Sequence, residues 1–544
     1  MAEHGAFGLP IIDIAHVEPA IARAPTGVTA FVGRTLKGPV DRPVRVASFA
    51  EYQQIFGGLW QPSTLSYAVE QYFENGGRQA IVARVVNGAK PPTLTLRAGH
   101  GELELIGINP GSREYLRAAI DYDGIDEADG DRFNLVVQRV RLPGTEQIED
   151  QEIFRRASIE PGSARFVGDL LLESRLVRLR GGAPPVRPDR TPAGAGGPAV
   201  RYVSSRNDGD DGAPLTDYDV IGSAARGTGL FALQAEEGFD LLCIPPLSRE
   251  RDVGLATLLV AARFCRERHA LLIVDPPAEW TTPQIALAAF RTWPFRSENA
   301  AMFFPRVAAF DRLRNRPEVF GSAAAAAGML ARGDEQFPVW SPAEGDESIL
   351  RPAFKLATGV TDAERARLAQ AGINPLQTVR AGSRARLMPS TLAGDASRAP
   401  DSRPLAARRL ALFVVRSIER GTRWLLTAPN EPATWRRAEA QVEQFLDELY
   451  REGAFAGGEA QDSYFAICDE RVNRPETVAE GKLHLLFGIA AVKPGQFQAW
   501  LLTCQSGAGR GSDRTCRVRS VAVNRLVTSQ QRVDWEIETA ILRG

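Results

Sequence analysis

Three short runs of apolar residues constrain this chain more than any other feature: QAIVARVV (Gln79–Val86), DLLCIPPL (Asp240–Leu247) and ALLIVDPP (Ala270–Pro277). Each is too short for a buried helix. A strand that is apolar on both faces has to lie inside a sheet covered on both sides. Helix-patterned segments sit between these runs. SFAEYQQIFGG has Ser48 as N-cap, Glu51 at the capping-box position and a stop at Gly57-Gly58. TLSYAVEQYFENGG ends on Asn75-Gly76-Gly77, and VGLATLLVAARFCRERH and PQIALAAFRTW follow further on. Buried strands alternating with helices at this spacing predict crossover units and a partly parallel sheet.

The remaining sequence breaks into different textures. At the start, FGLPIIDIAHVEPAI holds Ile11, Ile12, Ile14 and Val17, while Pro10 and Pro19 limit any helix. That composition favours an extended arm or an edge strand. TGVTAFVGRT (Thr26–Thr35) is β-rich. From about Pro91, short strand-like runs (TLTLRA, GELELIGI, NLVVQRV) alternate with Gly/Asp-rich loops, which predicts a β-rich insertion over 91–215. Its end, the Pro/Gly-rich Gly181–Val200 and the acidic NDGDDG, is expected to be exposed and mobile. A third α/β unit begins near Pro352. There PATWRRAEAQVEQFLDELYREG puts Trp435, Ala438, Val442, Phe445, Leu446 and Leu449 on one helical stripe. Strands SYFAICD, KLHLLFGIAAV and FQAWLLTC come next. In the tail, Val533, Trp535, Ile537, Thr539 and Ile541 alternate with Asp534, Glu536, Glu538 and Ala540. This acidic strand and the basic RVRSVAVNRLV, with Arg517, Arg519 and Arg525, form either a charge-paired hairpin or two separate edge strands.

With 544 residues, the chain has room for roughly three domains. Its 65 basic and 66 acidic residues leave a net charge of −1, which argues against a nucleic-acid binder and suits dense self-association. The five cysteines are scattered without a CxxC pair, so neither a zinc site nor a disulfide framework is expected. Cys504 and Cys516 are near enough in sequence to bridge, but a chain made in a reducing cytosol is expected to keep them as thiols. No secretory leader and no membrane-spanning run is read, so a soluble, cytoplasmically made protein is expected, with no membrane insertion.

Familiar chemistry is not supported. ALLIVDPP places Asp275 at a strand end, as in enzymes that hold Mg²⁺ beside a nucleotide. Such a site also needs a phosphate loop, and no GxxxxGK[ST] occurs, so a turn residue is the simpler reading. GAGRGS (Gly507–Ser512) lacks the strand–turn–helix context of a dinucleotide fingerprint and reads as a linker. NDGDDG lacks the spaced ligands and terminal Glu of a calcium loop. None of His4, His16, His100, His269 and His484 has another His three to five residues away, and no GxSxG occurs. Neither a catalytic residue, a metal nor a cofactor is therefore assigned.

The order of the strings is informative in its own right. TGVTAFVGRTLKGPVDRPVRVASFAEYQQIFGGLW followed by LSYAVEQYFENGGRQAIVARVV resembles the N-terminal signature of contractile tail sheath proteins. GTGLFALQAEEGFDLLCIPP, ALLIVDPP and GINPLQTVRAGS resemble later segments of that family. So do the two pieces APNEPATWRRAEAQVEQFLDELYREGAFAG and SYFAICDERVNRPETVAEGKLHLLFGIAAVKPGQFQAWLL. Three departures stand out. The β-rich insertion matches no known domain, and such insertions vary across the family. RARLMPSTLAGD (Arg384–Asp395) replaces the family's tryptophan-containing run, and about forty residues follow Leu502, where many members stop.

The resemblance implies an α/β (α+β) multidomain fold and a polymerising mechanical subunit with no enzymatic activity. It implies a linking arm over 1–20 and a discontinuous α/β core over 21–90 plus 216–350, holding the β-rich insertion over 91–215. An inner, tube-facing domain would span 351–506 and a β extension 507–544. Arms of this family add strands to neighbouring subunits' sheets. The N-terminal candidate is Leu9, Ile11, Ile12, Asp13, Ile14 and Val17. The C-terminal candidates are Phe497, Ala499, Trp500, Leu501 and Leu502, or Val533, Trp535, Ile537 and Ile541. Arg436, Arg437, Glu443 and Glu448 form a candidate tube-facing helix surface. The implied partners are further copies in a helical sheath, the tail tube, and baseplate and terminator proteins. Assembly is expected in the bacterial cytoplasm, followed by residence in the tail of a virion or injection particle. The alternatives are another tail protein, such as a baseplate or terminator component, or a nucleotide-dependent enzyme centred on Asp275.

Overall fold

A computed structural model describes residues 20–145, 147–192, 201–341, 348–378, 388–393, 403–505, 515–527 and 533–537. It divides into two compact units, one comprising Pro25–Arg408 and the other Arg409–Gly544 with the residues up to Ala24.

The larger unit starts with β1 (Val28–Gly33), β2 (Val44–Val46), α1 (Phe49–Phe56), α2 (Thr64–Glu74) and β3 (Gln79–Arg84). The caps lie where the sequence places them. The Ser48 hydroxyl accepts from the Glu51 N–H, and Glu51 Oε2 accepts from the Ala47 N–H at 2.7 Å, one residue before the position of a strict capping box.

The insertion follows as β4 (Thr93–Ala98), β5 (Gly101–Gly107), β6 (Tyr115–Asp121), β7 (Arg132–Val140), β8 (Ile148–Ser158), α3 (Val167–Leu172), β9 (Val177–Leu179) and β10 (Val203–Ser204). Two antiparallel sheets, in the orders β4-β5-β9 and β10-β6-β7-β8, enclose one core that includes Leu96, Leu103, Leu116, Phe133 and Leu135. The insertion is β-rich, as expected; residues 193–200 of its Pro/Gly-rich end lie outside the described residues, and of the rest, largely exposed as expected, Arg187–Asp189 are docked rather than free. The Tyr122 hydroxyl donates to the Pro188 carbonyl at 2.7 Å, Arg187 lies over the Tyr122 ring, and the Asp189 N–H donates to the Arg97 carbonyl. NDGDDG forms the neck of the insertion. Lys90 and Asp210 exchange backbone hydrogen bonds at 2.9 Å, and the Asp208 carboxylate accepts from both the N–H and the hydroxyl of Thr93. At Gly212, φ is +73° and a Cβ would meet the Asn87 carbonyl, so the turn requires glycine.

The chain then returns to the first sheet through α4 (Asp217–Ile221), a 3₁₀ turn at Gly229–Ala235, β11 (Leu241–Cys243), α5 (Leu255–Glu267), β12 (Leu271–Val274), α6 (Pro283–Thr292) and β13 (Ala300–Phe304). A small sheet, β15-β14-β16, comprises β14 (Val307–Asp311), β15 (Arg316–Phe320) and β16 (Lys355–Leu356). It is interleaved with α7 (Ala323–Gly333), α8 (Asp362–Ala371) and β17 (Asn374–Pro375). The main sheet has the order β17-β13-β12-β11-β1-β3-β2, parallel except for β2. Its order reverses between β1 and β11, as in doubly wound folds. On one face Ala30, Val32, Leu242, Leu272 and Met302 pack against α5 and α6 residues such as Phe264 and Phe290. On the other, the Ala-rich α7 lies so close to α2 that a Cβ on Gly328 would strike the Tyr72 carbonyl.

The second unit holds α9 (Leu405–Gly421), α10 (Pro432–Arg451), β18 (Tyr464–Ile467), α11 (Pro475–Ala479), β19 (Lys482–Ile489), β20 (Gln498–Gln505) and β21 (Cys516–Val521). These strands form one antiparallel sheet in the order β18-β19-β20-β21. All six stripe residues of α10 are buried. Beyond the sheet, β22 (Val523–Val527) pairs with β23 (Val533–Ile537) as a separate hairpin. The hairpin reading of the tail therefore holds, but its charge pairing does not follow. Arg517 and Arg519 lie in β21, and Arg525 is in register with Trp535.

Candidate assembly interface

Where the strand candidates fall decides what this chain can pair with. Leu9–Val17 lies outside the described residues. The first residues that are described, 20–24, run along α9. The Ala24 N–H donates to Ser417 Oγ at 3.0 Å, Arg23 pairs with Glu452, and Ile21 packs where a Cβ on Gly421 would stand. The root of the N-terminal segment is thus fixed in the same unit as the β18–β21 sheet.

Ala499, Trp500, Leu501 and Leu502 lie in β20, paired with β19 on one side and β21 on the other. In this structure their strand has no open edge, because the residues beyond Ser506 supply a further strand that the family-like segment did not foretell. Phe497 precedes β20 and packs edge-on against Phe465 at 5.3 Å. Val533, Trp535 and Ile537 lie in β23, which among the described residues pairs on one side only, with β22, and Ile541 is outside the described residues. Among the described residues, the sheet's own edges are β18 and β21. Edge strands of this kind present unpaired backbone N–H and C=O groups, so they accept another strand with little demand on its side chains. Just past the end of β18, the Cys468 N–H donates to Glu439 Oε2 at 3.2 Å.

On α10, Arg436, Arg437 and Glu443 are exposed and Glu448 is half-buried. Arg437 stacks over the Trp424 ring at 4.2 Å, and the Trp424 Nε1–H donates to Gln441 at 2.9 Å. These contacts hold the guanidinium at the surface rather than leaving it to swing.

The chemical candidates resolve into structural roles. Asp275 sits just past the carboxyl end of β12, in a small crevice also lined by Thr64, Arg249 and Arg306. Burial raises its carboxyl pKa, and Arg306 and the Ala323 N–H (2.7 Å) oppose that shift. It caps the start of α7 and packs where a Cβ on Gly321 would stand, a contact distant in sequence rather than the local turn role expected of it. The thiols of Cys243, Cys265 and Cys468 are buried and their pKa values raised, that of Cys468 to about 12, mainly by desolvation. At neutral pH they are protonated and unreactive. Among the described residues there is no cluster of His, Cys, Asp and Glu suited to a metal, and no helix is long and apolar enough to cross a membrane. The expectation that Cys504 and Cys516 stay apart is corrected. The two face each other across β20 and β21 and are bridged, with Cα atoms 4.0 Å apart.

No protein-family model matches the chain, and no curated relative matches it. Solved structures do. The crystal structure of a sheath tail protein from Listeria innocua is similar at a TM-score of 0.56 with 12% identity, covering 89% of this chain and 96% of that one. A chain from the contracted-state baseplate of the anti-feeding prophage is similar at 0.50 with 18% identity, covering 90% and 97%. Over nine-tenths of its length the chain therefore has the multidomain α/β fold of sheath proteins.

Proposed function

We propose that the chain is a structural subunit of a contractile tail sheath, polymerising helically around a tail tube and contracting to drive the tube through a target envelope. One observation carries the reading. A chain with the sheath-protein fold over nine-tenths of its length roots its N-terminal segment and builds an open-edged sheet in the same unit. Head-to-tail strand exchange generates an open helix when the rotation between copies does not close a ring, as a sheath requires. Contraction is then a rigid-body change between two packings in which strand pairing persists. The energy is held in the extended assembly, so the reading requires no nucleotide and no catalytic residue.

In this reading the N-terminal arm, Leu9–Val17, is one linking strand and α10 offers Arg436, Arg437, Glu443 and Glu448 to the tube. The sheath attaches to baseplate and terminator proteins at its ends, binds no nucleic acid and inserts into no membrane. It assembles in the bacterial cytoplasm and resides in the tail thereafter. A baseplate role is the second reading, favoured by the similarity to the anti-feeding prophage baseplate chain.

Sedimentation of the full chain and of a variant lacking residues 1–17 tests the linking role. The full chain is expected to pellet as polymer and the truncated chain to stay folded and unassembled. Equal polymerisation would remove the arm from the account.

A further inference from the structure

The longest strand of the insertion has a free side. Among the described residues, β8 pairs with β7 and with no strand along its other edge until Ser158, whose N–H donates to the Arg165 carbonyl at 2.8 Å. Its register with β7 is regular from Asp150 to Phe154. Ile148–Ser158 contains neither proline nor lysine, residues that commonly blunt an edge.

The hairpin fixes which backbone groups that edge presents. The Arg141 N–H donates to the Gln147 carbonyl at 3.0 Å, so by alternation Arg139, Val137 and Leu135 point at β8 and face Asp150, Glu152 and Phe154. The groups of Gln151, Ile153 and Arg155 therefore point away from β7. In one copy, side chains alone cover two of these positions. Asp150 Oδ1 accepts from the Gln151 N–H at 2.9 Å, and Arg165 donates to the Arg155 carbonyl from Nε at 2.9 Å and from Nη2 at 2.6 Å. Between them, Ile153 is 49% exposed.

The charges along β8 are segregated. Glu149, Asp150 and Glu152 occupy its first half, and Arg155 and Arg156 its second. Within one copy Glu149 pairs with Lys37, Asp150 with Arg139 and Arg175, Glu152 with Arg175, and Arg156 with Asp129. Among the described residues the exposed Arg155 side chain has no such partner. Two of these strands laid antiparallel set the acidic half of each against the basic half of the other, and Arg155 then gains the acidic neighbours it lacks.

We propose that β8 pairs with β8 of a second copy, antiparallel about a two-fold axis at Ile153. In this register the two Ile153 residues exchange backbone hydrogen bonds, and Gln151 of each copy faces Arg155 of the other. The exposed isoleucines meet at the centre, and the incoming strand displaces the Asp150 and Arg165 side chains from the edge. A two-fold at Glu152 would instead set like charges opposite each other. The contact is isologous, so it closes as a pair. Neighbours within a sheath built head to tail are related by a screw rotation, so the second copy lies outside the same sheath. The inference goes beyond the sheath reading and does not depend on it.

Cysteine scanning of the full-length chain tests the pairing and its register. The native thiols of Cys243, Cys265 and Cys468 are buried and Cys504 is bridged to Cys516, so an introduced cysteine is the reactive one. Treated with a short bis-maleimide, Ile153→Cys should give a band of doubled mass on a denaturing gel. Gln151→Cys and Arg155→Cys should give that band when mixed and lose it when each is treated alone. Adding Arg155→Glu to Ile153→Cys should lower the yield several-fold, with circular dichroism unchanged from the parent. No doubled band from Ile153→Cys, or equal yields from Gln151→Cys alone, Arg155→Cys alone and their mixture, would overturn the pairing. Helical tubes without cross-linked pairs would overturn it while leaving the sheath reading in place, and pairs without tubes would sink the sheath reading alone.

Discussion

Arg249 donates from Nη2 to Oδ2 of Asp311 at 3.0 Å, with its guanidinium lying over the rings of Tyr67 and Phe320 at 4.3 and 4.4 Å. Asp311 has no exposed side-chain surface and also accepts from the Tyr67 hydroxyl and from the backbone N–H groups of Leu313 and Arg314. The pair thus clamps the β14–β15 hairpin to α2. Removing the cation strands a buried carboxylate, which costs about 3–5 kcal/mol. Arg249→Met is therefore expected to lower stability by that order in urea unfolding. The double variant with Asp311→Asn should recover most of it.

The same hairpin confers a pH dependence. Burial, reinforced by Glu74, raises the Glu70 carboxyl pKa from 4.5 to about 7, and the largely exposed Arg312, 3.5 Å away, only partly opposes this. Above pH 4.5 the unfolded chain loses this proton while the folded chain keeps it. The unfolded state therefore binds fewer protons, and stability falls as pH rises from 4.5 through about 7. Glu70→Gln should flatten that decline. Thermal melts of both proteins at pH 5 and pH 8 check it, with the variant gaining on the parent at the higher pH.

At Gly328 there is no room for a side chain, because a Cβ would run into the Tyr72 carbonyl. Gly328→Ala forces α2 and α7 apart and is expected to cost about 1–3 kcal/mol. Gly359→Ala, where a Cβ meets nothing within 4 Å, is the control and should leave the melting temperature nearly unchanged.

The reciprocal bonds between Lys90 and Asp210 bring the two ends of the insertion side by side. Replacing residues 92–207 with a two-residue turn should leave the seven-stranded sheet folded. Circular dichroism and a single cooperative melt of the shortened chain check this, and an aggregated or molten product would show that the insertion is integral to the core.

Sequence and structure agree where burial leaves a strong local trace. Leu271–Val274 is apolar on both faces, and the Trp435–Leu449 stripe recurs at helical spacing. Both could be read directly from the sequence, and so could the β-rich character of the insertion. β8 escaped notice because, although its exposures alternate from Glu149 to Arg155, the half-buried positions include the charged Asp150 and Glu152 while Ile153 is exposed, so no apolar alternation marks it in the sequence. α7 escaped because a run of alanines has no polar face to mark it. NDGDDG was misread as mobile because its partners, Lys90 and Thr93, lie more than a hundred residues away in sequence. The Cys504–Cys516 contact depends on a strand register that spacing alone does not fix. At the interface, the composition of FQAWLL showed a strand, but not that β21 would cover its outer edge.

Negative-stain electron microscopy of the purified protein tests most directly whether this chain builds a sheath. Wide, hollow helical tubes of uniform diameter are the expected result. Monodisperse monomers that form no tubes at any concentration reached would contradict it.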